Sequence, residues 1–365
     1  MTHKKRNGTI DILRFLFCIG ILLFHIEKYI FEEPSLENGI HFDLCPHGAI
    51  GVEFFFVVTG WLMAKSICSR KQSDSEKKLS SETGAFIKRK YLNILPYSVI
   101  ATLFVFIVDC FINYLGWEEI PEKFIQAIPN FFLIQMTGIS YYNPNHITWF
   151  LSSMMIAICI LFPLAYKFYD NFVKLIIPIG GTLILGLLFA EYGKSLFGVM
   201  IWTGFGYKGT IRGIIEMGFG MASFEVSRYL QSLKIRSKQK YLLRGVELVC
   251  YVWIFAFVLM TFPKCYEIIA LAAILIGVTI TFSGVTRIEK LDNRFSEFLG
   301  KSSLPIYLCQ LAAINIVKYF SENLEGYINV ILVVLLDFIF AALCQLAGGK
   351  WSDVINKRRS AANAA

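Results

Sequence analysis

The most constraining feature of this 365-residue sequence is a series of long apolar stretches separated by short polar segments. A helix needs about 20 mostly apolar residues to cross the roughly 30 Å hydrocarbon core of a membrane. Only 17% of the residues are charged and 56% are hydrophobic, whereas a soluble domain carries about 25% charged residues. The sequence therefore predicts an all-α polytopic membrane protein whose partner is the lipid bilayer. The ten predicted spans lie at about residues 10–29, 48–67, 92–112, 147–166, 173–190, 210–227, 246–262, 267–284, 303–320 and 327–347.

Basic residues indicate the orientation of the spans, because short cytoplasmic loops carry an excess of Lys and Arg. Of the 35 basic residues, 26 fall in or beside the N-terminal segment, alternate loops and the C-terminal tail. We therefore expect both termini to be cytoplasmic. The chain is predicted to form a single transmembrane domain over residues 1–350, followed by a short basic cytoplasmic tail over residues 351–365.

The net charge of +8 does not indicate nucleic-acid binding, because the basic residues lie in short loops bounded by spans. The nine cysteines are scattered without zinc-site spacing, so no metal is expected. A short apolar piece at residues 131–135 cannot span a membrane and is predicted to lie at an interface.

Ionisable residues inside spans are costly in a membrane and are therefore functional candidates. Arg14 and His25 are eleven residues apart in the first span, so they share a helix face about 16 Å apart along the axis. Glu53 lies in the second span at a depth similar to that of His25. A carboxylate beside a histidine fixes its tautomer, which suits a general base that takes a proton from a hydroxyl. The alternative is that Arg14 snorkels to headgroups and that His25 and Glu53 are interfacial side chains.

Two further groups of residues fit this layout. His146 and Trp149 begin the fourth span and add a second imidazole at the level of His25; alternatively, they are a loop histidine and an aromatic-belt residue. Lys88, Arg89 and Lys90 precede the third span as topology signals, as a phosphate-binding cluster, or as both. A basic entrance leading to a buried histidine suggests a phosphate-bearing donor on the cytoplasmic side and an acceptor hydroxyl farther out.

These residues carry a resemblance to a known family. Arg14 followed by His25 resembles the Arg-x10-His signature of the membrane acyltransferase-3 family of bacterial O-acyltransferases. Further motifs of that family occur in its order along the chain, and they resemble residues 51–62, 86–96, 146–151, 212–213, 216 and 218–220. Two positions depart from the family pattern: Met154 stands where many members have a glutamate, and Gln310 where many have a histidine.

The resemblance implies an acyltransferase of the EC 2.3.1 class in a bacterial cytoplasmic membrane. It would move an acyl group from cytoplasmic acetyl-CoA or another acyl-CoA to a hydroxyl of an extracytoplasmic sugar or cell-envelope polysaccharide. The resemblance implies that His25 is the catalytic base or a transient acyl carrier and that Glu53 orients it. It implies that the CoA phosphates are bound by Arg14, Lys88, Arg89 and Lys90. The implied substrate-binding residues are His146, Trp149, Arg212 and Glu216. Arg212 and Glu216, four residues apart, are alternatively a structural ion pair.

The second hypothesis from the same residues is a transporter or flippase that binds a small polar solute or envelope precursor through the buried His, Glu and Arg groups. The sequence shows no inverted repeat or matched pair of broken helices, which are typical of many transporters. A pure scaffold or sensor accounts poorly for a histidine and a glutamate at one depth. The sequence leaves open whether the chain forms homo-oligomers.

Overall fold

The computed structural model describes residues 6–31, 44–73, 78–139, 142–320 and 326–364. In these ranges the chain is almost entirely helical, with one isolated β-bridge between Trp202 and Tyr207 and no strand. This confirms the predicted all-α class. The α-helices are α1 (Gly8–Ile26), α2 (Gly51–Ser73), α3 (Leu79–Ile112), α4 (Glu119–Phe131), α5 (Trp149–Asn171), α6 (Ile177–Glu191), α7 (Lys208–Ser232), α8 (Ser237–Leu259), α9 (Glu267–Ser283), α10 (Arg294–Phe320) and α11 (Gly326–Ala364).

Eight stretches of the described residues are long and apolar enough to cross a membrane. Helix α7 is not among them, because Lys208, Arg212 and Glu216 lower its hydropathy. All three side chains are buried, so the polarity of α7 faces the interior of the bundle and not lipid. Polar residues in membrane helices favour such interior positions, where they find hydrogen-bond partners.

One of the eight stretches, His146–Glu191, contains two antiparallel passes, α5 and α6. Ser153 bonds Thr210 near the start of α7 and Tyr169 bonds Glu225 in its second half, so α5 runs parallel to α7. In α6 the chain returns, because residues after Ile177 pack again on the first half of α7. The described residues thus provide ten long segments that match the ten predicted spans, although ten membrane crossings and cytoplasmic termini stay predictions.

Helices α2 and α7 pack with their backbones almost in contact. A Cβ atom on Gly60 would lie 1.8 Å from the Met217 carbonyl oxygen, and one on Gly220 would lie 2.1 Å from that of Val57. Small residues allow this close approach of membrane helices. Because the two helices run parallel, their first turns lie side by side at one end of the bundle, and those turns carry Glu53 and Arg212.

Helix α3 begins at Leu79, well before the predicted start of the third span at residue 92. The basic run Lys88, Arg89 and Lys90 therefore lies inside a helix and not in the loop before it, which corrects the sequence interpretation. Lys and Arg are good helix formers. The extension is also held to the bundle by Phe86, which is fully buried and stacks on Phe162 with ring centroids 4.2 Å apart.

A short amphipathic helix, α4, was not predicted. Ala127 and Phe131 of α4 are buried and pack with Phe106 of α3, whereas Phe124 and Ile125 are exposed. The apolar piece predicted at residues 131–135 is therefore the end of this helix and the turn after it. The signal for α4 was present in the sequence as apolar residues recurring every three or four positions.

Candidate functional site

Five candidate residues from different helices line one cavity of about 340 Å³. These residues are His25, Glu53, His146, Trp149 and Arg212. We call this space the His25 cavity. It lies at the end of the bundle where α2 and α7 begin. The depth argument from the sequence put His25, Glu53 and His146 at one level, and the cavity brings all three together.

His25 lies in the last turn of α1, and its Nδ1 atom is 2.6 Å from Oε1 of Gln310 on α10. The sequence predicts Glu53 as the group that orients His25. In the described residues, however, Glu53 bonds Arg212 and the imidazole bonds Gln310. The expected contact is corrected because α1 packs against α10, whereas Glu53 faces α7. Sequence reasoning named Gln310 only as a departure from the family pattern.

Arg212 is the centre of a buried ion network. Its guanidinium donates to Glu53, to Glu216 at 3.0 Å and to the carbonyl oxygen of Leu196. Arg212, Glu53 and Glu216 are respectively 2%, 3% and 0% exposed. Buried charges persist only when they are paired and hydrogen-bonded. The predicted pairing of Arg212 with Glu216 is present in the structure, and Glu53 is the second carboxylate of the network.

Glu267 and Lys208, which were not singled out in the sequence as site residues, hold the loop between α6 and α7 beside the His25 cavity. The Glu267 carboxylate accepts hydrogen bonds from the Ser195 hydroxyl and the Leu196 N–H. Lys208 Nζ donates to the carbonyl oxygens of Ser195 and Phe197 at 2.8 and 2.6 Å. Glu267 begins a predicted span, so the rule that singled out Glu53 could have found it.

Tyr29 is a second missed residue of the His25 cavity. Its hydroxyl is 2.6 Å from Nε2 of His146, and its ring centroid is 5.8 Å from that of His25. Tyr29 follows His25 by four residues, a spacing that puts two side chains on one face of a helix. The Tyr29 phenol thus lies between the imidazoles of His25 and His146, and His47 adds a third imidazole to the lining of the cavity.

A second and larger cavity of about 1010 Å³ opens toward the end of the bundle where α1 and α3 begin. We call it the basic cavity, because Asp11 is the only acidic side chain among its described lining residues. The basic side chains that line it are Arg6, Arg14, Lys65, Arg70, Arg89, Lys90, Arg228 and Arg287. Its charge suits an anionic ligand.

The predicted phosphate-binding residues differ in their relation to the basic cavity. Arg14, Arg89 and Lys90 line it, and in the described residues the nearest carboxylate to Arg14 is Asp11 at 4.0 Å. Asp11 itself is engaged by Arg6 through two hydrogen bonds of 2.9 and 2.7 Å, and this bonding raises the pKa of Arg6. Lys88 is exposed and lines neither cavity, so its predicted role receives no support from its position.

The two cavities meet inside the bundle, because Val52 and Tyr307 line both of them. The Tyr307 hydroxyl donates to the Ile147 carbonyl oxygen at 2.5 Å, which holds its ring at the junction. Met154, where many family members have a glutamate, lines the basic cavity near this junction with its sulfur 3.9 Å from the Thr59 hydroxyl. The two cavities thus adjoin at Val52 and Tyr307, each extending toward a different end of the bundle.

The fold and the apolar helices define a multi-pass, all-α membrane protein with two cavities that meet in its interior. The model of the acyltransferase-3 family, described as an acyltransferase domain, matches residues 7–347, so the chain belongs to this family and is a membrane acyltransferase. No match was found among curated proteins or solved structures.

Proposed function

We propose that this protein transfers an acyl group, acetyl in the simplest case, from cytoplasmic acyl-CoA to a hydroxyl of an extracytoplasmic sugar or cell-envelope polysaccharide in a bacterial membrane. The observation that carries the proposal is the meeting of the two cavities at Val52 and Tyr307, one basic and the other containing His25. This arrangement lets a donor and an acceptor approach the same point from opposite ends.

The basic cavity suits the donor. Guanidinium and ammonium groups pair strongly with phosphate oxygens, and Arg14, Arg89 and Lys90 supply three of them. Trp61 and Phe282 also line this cavity, stacked with ring centroids 3.8 Å apart, and offer aromatic surface to a nucleotide base. The surplus of basic residues near this end supports its location in the cytoplasm.

The His25 cavity suits the acceptor. His146, Tyr29 and Lys28 line it and supply hydrogen-bonding groups for a polar molecule, and Trp149 supplies an aromatic surface. The Arg212 network and the fastened loop make the cavity rigid, which favours a fixed orientation of the acceptor hydroxyl.

The reaction that follows is general-base acyl transfer. His25 takes the proton of the acceptor hydroxyl as its oxygen attacks the thioester carbonyl carbon. The new C–O bond forms, the C–S bond breaks, and the CoA sulfur leaves as a thiol with the proton from His25. With His25 as a transient acyl carrier, an imidazole nitrogen attacks the thioester first, so a C–N bond forms as the C–S bond breaks and the CoA thiolate leaves. The acceptor oxygen then forms the C–O bond as the C–N bond breaks, and the proton that the hydroxyl loses balances the one that the thiolate takes up.

The test is transfer by the full-length protein in nanodiscs supplied with labelled acetyl-CoA and longer acyl-CoA donors, with release of free CoA thiol as the readout. We expect His25→Ala to lower turnover about 10²- to 10⁴-fold, with the affinity for acyl-CoA changed less than twofold. Lys88→Ala is the matched control and should behave as wild type.

The transporter hypothesis predicts a different outcome. If the wild-type protein neither binds nor consumes any acyl-CoA, and sealed vesicles instead accumulate a polar solute in a His25-dependent manner, the acyl-transfer proposal is wrong. In vesicles that hold the protein in one orientation, acyl transfer should require acyl-CoA on the side of the membrane where the two termini of the protein lie.

A further inference from the structure

Gln310 holds a defined position beside the candidate base. It lies on α10, which runs parallel to α1: Cys18 Sγ bonds the Ser303 carbonyl oxygen at 3.0 Å, and seven residues later in both helices His25 bonds Gln310. Seven residues are about two helical turns, so the same faces meet at both levels. Gln310 is fully buried, and its amide contacts the imidazole across the interface of α1 and α10.

The chemistry of an amide restricts the protonation of the imidazole. The Gln310 amide presents its Oε1 atom to the imidazole, and an amide oxygen can only accept a hydrogen bond. In this orientation of the amide, the 2.6 Å contact puts the proton on Nδ1 of His25. A neutral imidazole carries one N–H, and therefore the lone pair is on Nε2. We infer that Gln310 is a positioning residue that holds His25 in the Nδ1–H tautomer, so that Nε2 is the atom that reacts; this inference rests on the proposed acyl transfer.

A glutamine orients the imidazole and favours its charged form less than a carboxylate would. A carboxylate at the same place would stabilise the imidazolium more strongly, so that a higher pH would be needed to obtain the free base. The carboxylate expected to orient His25, Glu53, is instead paired with Arg212. Gln310 thus orients the base, whereas Arg212 neutralises the buried carboxylate of Glu53.

Other titratable or charged groups face His25 across the cavity and remain unchanged in the variants below. They come from the turn after α1, from the segment before α2, and from α2, the start of α5, α7, α9 and α10. They are Lys28, Tyr29, His47, Glu53, His146, Arg212, Glu267 and Tyr307. A pH effect of a Gln310 variant is therefore measured against a constant background.

The first experiment compares two substitutions in the acyl-transfer assay. Gln310→Leu removes the acceptor, and we expect kcat to fall about 10²-fold or more while KM for acyl-CoA changes less than twofold. Gln310→Glu keeps an acceptor but adds charge, so the acid limb of the pH profile should move up by about one unit or more. Cys309→Ala, a buried neighbour on α10, is the control and should leave the profile unchanged.

The second experiment reads the tautomer directly, without turnover. The protein is labelled with ¹⁵N-histidine, and the His25 signals are assigned by their loss in His25→Gln. The inference is supported if Nδ1 is protonated and Nε2 is unprotonated in the wild-type protein, and if this tautomer is no longer the dominant one in Gln310→Leu.

The two experiments distinguish a failure of the role inferred for Gln310 from a failure of the proposed acyl transfer. A proton on Nε2 in an enzyme that turns over acyl-CoA overturns the role of Gln310 and leaves the proposed function intact. The Nδ1–H tautomer in a protein that never consumes acyl-CoA overturns the proposed function and leaves the positioning contact intact. A Gln310→Leu variant with wild-type kcat also contradicts the inference.

Discussion

The two cavities differ in what their charges do. In the His25 cavity most charged groups are bonded within the protein, as Arg212 is to Glu53, Glu216 and the Leu196 carbonyl oxygen. In the basic cavity, Arg14 and other cations face a large space that is lined by one carboxylate among the described residues. The first region uses its charges to hold geometry. In the second, several of the lining cations are ion-paired with carboxylates outside the cavity or at its edge, namely Arg6, Arg70, Arg228 and Arg287. Arg14, Arg89 and Lys90 are the cations that we expect to meet an anion.

The largest effect is expected from breaking the ion network around Arg212 beside the His25 cavity. Arg212→Leu leaves Glu53 and Glu216 buried without their cation, and removing one partner of a buried ion pair costs about 3–5 kcal/mol. We expect thermal unfolding in detergent to shift down strongly. Arg228→Leu is the control, because it removes a half-exposed ion pair with Glu225 and a cation–π contact with Phe224, and it should change stability by about 1 kcal/mol or less. Equal shifts for the two variants would contradict the assigned difference.

A smaller perturbation separates geometry from charge. Gly220→Ala places a Cβ against the Val57 carbonyl oxygen and forces α2 and α7 apart. Overpacking of this kind costs about 1–3 kcal/mol, and it should lower turnover without weakening the binding of acyl-CoA. Gly245→Ala is the matched control, since no atom lies within 4 Å of its added Cβ. Calorimetry together with the transfer assay checks both expectations; a Gly220→Ala protein as stable as the control would show that the close helix contact is not required.

The smallest expected effect concerns the basic cavity. Lys90→Ala removes one phosphate-pairing cation, and we expect the affinity for CoA to fall about tenfold, with a reduced dependence on salt. Stability should stay within about 1 kcal/mol of wild type. Lys88→Ala, two residues away on the exposed surface of α3, should leave the affinity unchanged. Isothermal titration at two salt concentrations measures both; equal losses for the two lysines would mean that general charge and not the cavity attracts CoA.

Much of the fold could be predicted from the sequence, because apolar length is a direct requirement of the membrane. The polar helix α7 was located at residues 210–227 although its composition is unlike that of a lipid-facing span. Helix α4 and the early start of α3 were missed, because both lie outside long apolar runs. Their positions depend on packing, for example that of Phe86 on Phe162.

The sequence predicted which residues line the candidate site more readily than it predicted which of them contact one another. Depth within the spans indicated that His25, Glu53 and His146 lie near one another. The partners could not be predicted, because Glu53 and Arg212 are 159 positions apart and His25 and Gln310 are 285 apart. Which helix faces which is decided by tertiary packing, and a polar residue such as Gln310 carries no local signal of its neighbour.

The ring of Tyr307 at the junction of the cavities has a consequence for the cell as a whole. In a membrane that holds an electrochemical gradient, a continuous aqueous path through a protein would discharge that gradient. The buried ring of Tyr307 lies in the wall that the two cavities share, and its hydroxyl is bonded to the Ile147 carbonyl oxygen. A transferase of the proposed kind would need this wall to admit an acyl group while it excludes hydrated ions, which would make Tyr307 a barrier to ion leakage as well as a lining residue.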